Sequence, residues 1–160
     1  FEQVTAADPT QIIAVNQAVD SRTKGSLEEI APTTVKPNGY EDWQVPWEKQ
    51  VETIADAVGK EDEGDKLIDD TEKAFEEFRH EHAELQDKSA AIVMPYDGKI
   101  GLYTEEDGRG QFIENLGMEI PDALQGDGGS FFVDIAPENY AKLNQVDYLF
   151  VLDYNGSCLL

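Results

Sequence analysis

The feature that most constrains this chain is a long acidic stretch of helix-forming sequence, running from Pro46 to Leu85 and broken once, at Gly59. Trp47, Val51, Ile54, Ala55 and Val58 recur at three- and four-residue spacing, Pro46 suits a first helical turn, and Gly59 stands where a helix stops. A second stripe of Leu67, Thr71, Phe75, Phe78, His82 and Leu85, with Ile68 and Ala74 beside it, predicts a helix from Asp62 to Gln86. At about 1.5 Å per residue it would span roughly 37 Å, longer than a small single domain needs. Between Glu41 and Lys88 there are 17 acidic and 6 basic side chains, a net of −11 out of −22 for the whole chain. The bland reading of that excess is a solvated helix face laced with Glu–Lys pairs.

Short elements flank this stretch. On the N-terminal side Glu2 to Ala7 reads as the end of a helix broken at Asp8-Pro9, Gln11 to Val15 as a buried strand, and Asn16 to Gly25 as a polar loop. Leu27 to Ile30 reads as an amphipathic turn ending at Ala31-Pro32, and Thr33 to Val35 as a second strand. After Lys88-Ser89 come a strand at Ala90 to Met94, a short strand at Ile100 to Tyr103, and a helix at Gln111 to Leu116 closed by Gly117. An apolar stub at Phe131 to Val133, a helix at Pro137 to Leu143 and a buried strand at Tyr148 to Leu152 follow. Strands separated by helices predict an α/β chain of parallel-sheet lobes covered on both faces. Residues 1–44 are then expected to form the C-terminal remnant of a first lobe, 45–88 the linking helices, and 89–160 a second lobe truncated at its C-terminal end.

Charge and motifs remove several function classes. A chain carrying −22 repels phosphate backbones and anionic headgroups, so neither nucleic acid nor a membrane surface is an expected partner. No apolar run approaches the roughly 20 residues of a membrane-spanning helix. Cys158 is the single cysteine and forms no internal disulfide. The chain has no G-x-S-x-G, no P-loop, no H-E-x-x-H and no C-x-x-C, so nucleophilic and metal catalysis lose their usual supports. His80 and His82, two positions apart on a helix, point about 200° from each other and cannot share a metal. The expectation is a protein that is not an enzyme.

The polar residues just after the strands are more informative, because open α/β sheets bind ligands beyond the carboxyl ends of their strands. Those positions hold Asn16 and Gln17, then Pro95, Tyr96 and Asp97, then Asp153, Tyr154 and Asn155. Tyr103 and Arg109 add an aromatic and a cation before a helix. Arg109 is one of three arginines; it is either a surface ion pair with Glu105 or Glu106, or a planar fork for an anionic or oxygen-rich ligand. Tyr40, Trp43 and Trp47 lie where the first lobe meets the helices, as packing or as aromatic contacts for a bulky ligand.

Five stretches in this order resemble one family: FEQVTAADPTQIIAV, LEEIAPTTV, WEKQVETIADAVGKEDEGDKLIDDTEKAFEEF, GRGQFIENLGMEIP and APENYAKLNQVDYLFV. They are similar to the substrate-binding proteins of iron-siderophore and vitamin B12 ABC importers, in which two α/β lobes are joined by one long rigid helix, the class III periplasmic-binding-protein-like fold. The resemblance implies a ferric siderophore as ligand, an ABC permease as partner, iron only as part of the bound complex, no other cofactor, and small hinge motion. It places the protein outside the cytoplasm, periplasmic or lipid-anchored through a segment outside this sequence. It assigns Glu2 and Glu138 to permease docking and Arg109, Tyr96, Tyr103, Asn16, Gln17, Tyr154 and Trp43 to the ligand. The family carries further elements on both sides of the matched region, so the chain reads as an internal fragment with part of the cleft. Alternatives are the same fold holding cobalamin, haem or another metal-containing solute, or an enzyme of related two-lobe architecture.

Overall fold

The computed structural model describes residues 1–153. They divide into two compact units, 1–71 and 72 onward, with the division falling inside the longest helix.

In the first unit a short helix α1 (Glu2–Ala6) leads into strand β1 (Ile12–Ala14), which pairs in parallel with β2 (Thr33–Val35). The segment between them is not the polar loop expected over Asn16–Gly25: it forms helix α2 (Ser21–Glu28). Asp20 caps that helix, its carboxylate accepting from the Thr23 N–H at 2.7 Å. The helix has no apolar stripe, and its start is readable only from the cap. Helix α3 (Trp47–Val58) is entered from Pro46 and ends in a left-handed Gly59 (φ 66°), as its spacing predicts. Helix α4 (Glu61–Glu81) follows directly. The close approach of α3 and α4 rests on Gly64, where an added Cβ would stand 2.5 Å from Cβ of Ala55. α4 stops at Glu81, short of the expected Gln86, and a 3-10 turn at Ala83–Leu85 takes over.

The second unit is built on a four-stranded sheet in the order β5-β4-β3-β6, comprising β3 (Ala90–Tyr96), β4 (Lys99–Tyr103), β5 (Phe132–Ile135) and β6 (Tyr148–Val151). Helix α5 (Gly108–Asn115) packs against β3. The unit is α/β as expected, but its sheet is mixed. Only β6 runs parallel to β3, whereas β3–β4 and β4–β5 are antiparallel. The reason is local: Asp97 (φ 45°) and Gly98 (φ 74°) make a two-residue turn that folds β4 straight back on β3. A buried core of Ala90, Ala91, Val93, Leu102, Ile113, Ile120 and Ile135 holds the sheet and α5 together. Two further expectations are corrected. Pro137–Gln145 is 3-10 rather than α-helical. Tyr148–Val151 is an edge strand whose side chains are all exposed, Leu149 and Phe150 at 44%, because only β3 flanks it within the described sheet.

The start of β6 is pinned to the start of β3 by a reciprocal clamp. The Asp147 carboxylate accepts from the Ser89 N–H (2.9 Å) and hydroxyl (3.0 Å), and the Ser89 hydroxyl accepts from the Asp147 N–H (3.0 Å). The Ser89 donors, backbone first, hold the Asp147 carboxyl below its ordinary range, against a smaller opposing effect of burial and with minor help from Lys88. A lowered carboxyl stabilises the fold above its unfolded pKa, and this contribution is lost as pH falls through the folded value. Asp147→Asn is therefore expected to lower the melting temperature modestly at neutral pH, with the gap to the parent protein closing towards about pH 3. Thermal melts across that range check it; a gap that stays constant with pH would show that the carboxylate charge is not what holds the strand.

Candidate functional site

The hairpin register gathers Tyr96, Tyr103 and Phe132 on one sheet face. Opposed residues of antiparallel strands share a face, and here Tyr96 faces Lys99, Met94 faces Gly101, Tyr103 faces Phe132, and Gly101 faces Asp134. The missing side chain of Gly101 leaves room for the Phe132 ring, which lies where a Cβ would be, its Cζ 1.8 Å from that position. Phe132 in turn bridges the two tyrosines, with centroids 5.7 Å from Tyr96 and 5.0 Å from Tyr103. The result is a continuous row, Tyr96–Phe132–Tyr103. Tyr103 is buried, and its hydroxyl lies 3.6 Å from Sδ of Met94.

Arg109 closes one end of the row, its guanidinium carbon 4.1 Å from the Tyr103 ring centroid. It pairs with neither Glu105 nor Glu106, as the surface reading expects, but with Asp107: Nη1 donates to Oδ1 at 2.9 Å and Oδ2 at 3.2 Å. Asp107 is the N-cap of α5, buried to 6% side-chain exposure, and its carboxylate also accepts from the Arg109 N–H at 2.8 Å. The cap geometry aims that carboxylate at Arg109 already. Glu105 is occupied elsewhere: Gln125 accepts from its N–H (3.0 Å) and donates to its Oε2 (3.2 Å).

At the other end the Tyr96 hydroxyl donates to Oδ1 of Asp134, and Lys99 Nζ donates to Oδ2 of the same carboxylate at 2.8 Å. Lys99 first, then Tyr96, hold the Asp134 carboxyl low, and the bond to Asp134 raises the Tyr96 phenol. Three of the residues expected from sequence, Tyr96, Tyr103 and Arg109, thus share one row. Phe132, Lys99, Asp134 and Asp107 join them in the structure and are not singled out by the sequence. Only the Asp97-Gly98 turn could have given the register that brings the first three together.

The other expected residues are not members of this row. Asn16 Oδ1 accepts from the Val45 N–H at 3.2 Å in the first unit. Gln17 is exposed, and Trp43 is 37% exposed on a backbone of φ 68°. Glu2 and Glu138 are exposed in the first turns of α1 and of the 3-10 helix Pro137–Gln145. Tyr154 lies outside the described residues. A surface cavity of about 490 Å³ in the first unit is lined by Lys49, Glu52, Asp56, Glu61 and Asp65 among others, with no aromatic side chain.

A parallel strand pair in one unit and a mixed four-stranded sheet in the other, each with helices between its strands, define an α/β protein. The chain belongs to the periplasmic binding protein family, whose model matches residues 1–157. Among solved structures it is similar to the iron uptake ABC transporter substrate-binding protein PiaA from Streptococcus pneumoniae in complex with ferrichrome. That match has a TM-score of 0.80 and 26% identity over 96% of this chain and 53% of that one. It is similar also to a periplasmic solute binding protein from Mycobacterium smegmatis, with a TM-score of 0.74 and 27% identity over 94% of this chain and 50% of that one. FhuD2 from Staphylococcus aureus with bound ferrioxamine B shares the fold, with a TM-score of 0.73 and 22% identity over 94% of this chain and 57% of that one. The chain spans about half the length of the solved structures it matches. No curated protein matches it.

Proposed function

We propose that this chain belongs to the solute-binding component of an ABC importer that captures a ferric siderophore for iron uptake, without covalent chemistry. The observation that carries the reading is the Tyr96–Phe132–Tyr103 row with Arg109 stacked at its end. It occurs in a fold shared at a TM-score of 0.80 with a protein crystallised with ferrichrome. The half-buried Tyr96 and Phe132 rings supply contact area for a bulky complex, buried Tyr103 backs Arg109, and the guanidinium donors not held by Asp107 are free in geometry to meet ligand oxygens. Asn16, Gln17, Trp43 and Tyr154 are the further ligand contacts in this reading. Exposed Glu2 and Glu138 dock on cationic side chains of the permease. Iron enters only inside the ligand, and the protein works outside the cytoplasm, in a periplasm or on a lipid anchor.

The test is quenching of intrinsic tryptophan and tyrosine fluorescence during titration with a ferric hydroxamate, a ferric catecholate, cobalamin and haem. Saturable quenching by one ferric siderophore class is the expected result; saturation by cobalamin or haem alone would replace the ligand, and no quenching by any of the four would overturn the reading. Arg109→Ala is expected to weaken the binding more than about tenfold, a loss of roughly 1.4 kcal/mol. Unchanged affinity would remove Arg109 from the site.

A further inference from the structure

The two cations at the aromatic row are each neutralised by a carboxylate. Arg109 lies 2.9 Å from Asp107 Oδ1, and Lys99 lies 2.8 Å from Asp134 Oδ2. Beyond them the balance turns negative. Asp97 sits in the turn between Tyr96 and Lys99, and Glu105 and Glu106 directly precede Asp107. The field of the whole chain has the same sign, at −22. A trianionic solute placed on this row would meet no uncompensated positive charge and would enter against the chain's own potential.

From this arrangement we infer that the site selects by charge, for an uncharged or cationic ferric complex, and discriminates against a trianionic one. The inference rests on the reading of the row as a ferric-siderophore site and narrows its ligand class. A ferric ion wrapped by hydroxamates, each carrying one negative charge, is neutral, and a pendant ammonium makes it cationic. The same ion wrapped by three doubly charged catecholates is a trianion. The hydrogen bonding at Tyr96 points the same way. Its hydroxyl proton is committed to Asp134, so towards a ligand this tyrosine presents oxygen lone pairs and a ring face. Such a surface accepts from an amide or ammonium N–H and offers nothing to a bare oxyanion.

The experiment is a titration of the full chain with three ferric complexes of matched bulk: a neutral tris-hydroxamate, a hydroxamate bearing a free ammonium, and a tris-catecholate trianion. Each is run at low and at high salt. The neutral and cationic complexes are expected to bind more tightly than the trianion by tenfold or more, and trianion binding should improve with salt as the repulsive field is screened. Two exposed variants isolate the local charges. Asp134→Asn should raise the ratio of trianion to neutral affinity by roughly three- to tenfold, and Lys99→Gln should lower it by a similar factor. Preferential binding of the trianion, or the same ratio in both variants, would overturn the charge selection while leaving the siderophore reading intact. No binding of any complex would overturn the siderophore reading itself, and the charge selection with it.

Discussion

Replacing Gly110 by alanine is expected to destabilise the second unit by about 3 kcal/mol or more, lowering the melting temperature by roughly 6 °C or more. Helix propensity alone argues the opposite sign, because alanine within a helix is favoured over glycine by up to about 1 kcal/mol. Packing decides the matter. Gly110 lies in the first turn of α5, and a Cβ there would stand 2.0 Å from the Thr104 carbonyl oxygen, 2.6 Å from its carbon and 2.9 Å from Cα of Glu105. These are backbone atoms with no rotamer to adopt. They are also tied in place: the Thr104 N–H donates to the Phe131 carbonyl at 3.1 Å, and the Thr104 carbonyl accepts from Asp107 N–H at 3.1 Å. The turn that would have to give way carries Asp107, the cap of α5 and the anchor of Arg109, so Gly110→Ala should impair ligand binding together with stability. Thermal or urea unfolding of the single variant checks it, and a melting temperature equal to or above that of the parent protein would sink the argument.

How much of this was legible in the sequence depends on whether a residue's partner is close in the chain. Helix α3 was readable to its ends, because the apolar spacing, Pro46 and Gly59 are all local signals that agree. Strand β2 was readable for the same reason. Helix α2 was not: its residues lack an apolar stripe, and the Asp20 cap is its one local signal amid general polarity. The direction of β4 is written in Asp97-Gly98, a two-residue hairpin signal, whereas the alternation of strands and helices predicts a parallel sheet. Apolarity predicts burial of Tyr148–Leu152, but it measures what a strand could bury and not whether anything covers it. At the site, Arg109, Tyr96 and Tyr103 could be singled out by residue type and position after strands. Phe132 could not, since the space it fills is made by Gly101 across two strands and exists only once the register is known.

The carboxylates illustrate the same limit. In a chain with 34 acidic residues, abundance hides the few that have a structural task. Asp20, Asp107, Asp134 and Asp147 stand out only when their donors are seen: Thr23 for the first, Arg109 for the second, Tyr96 and Lys99 for the third, Ser89 for the fourth. Two of these four are helix caps, and their sequence signal is the same aspartate preceding a short helix. The other two are long-range, joining strands that are 35 and 58 residues apart in the chain, and nothing local announces them.

Gly101→Val is expected to break the aromatic row, at a cost in stability of about 2–3 kcal/mol and with a loss of ligand affinity larger than stability alone explains. Strand propensity opposes this by up to about 1 kcal/mol, since valine suits a buried strand better than glycine does. The Phe132 ring outweighs it. Three of its carbons lie 1.8, 2.5 and 2.6 Å from the position a Cβ would take, so the ring must leave the place where it bridges Tyr96 and Tyr103. Because the obstacle is a side chain, the cost should be recoverable by removing it, which is not so at Gly110. Phe132→Ala alone should lose the ring contacts to both tyrosines and weaken binding. Combined with Gly101→Val, it should give a protein more stable than the sum of the two changes predicts, by about 1–2 kcal/mol. Affinity should stay low in the double variant, since the volume is restored but the aromatic face is not. A double-mutant cycle read by urea unfolding and by ferric-complex titration separates the two effects, and strict additivity in stability would mean that Phe132 does not occupy the space above Gly101.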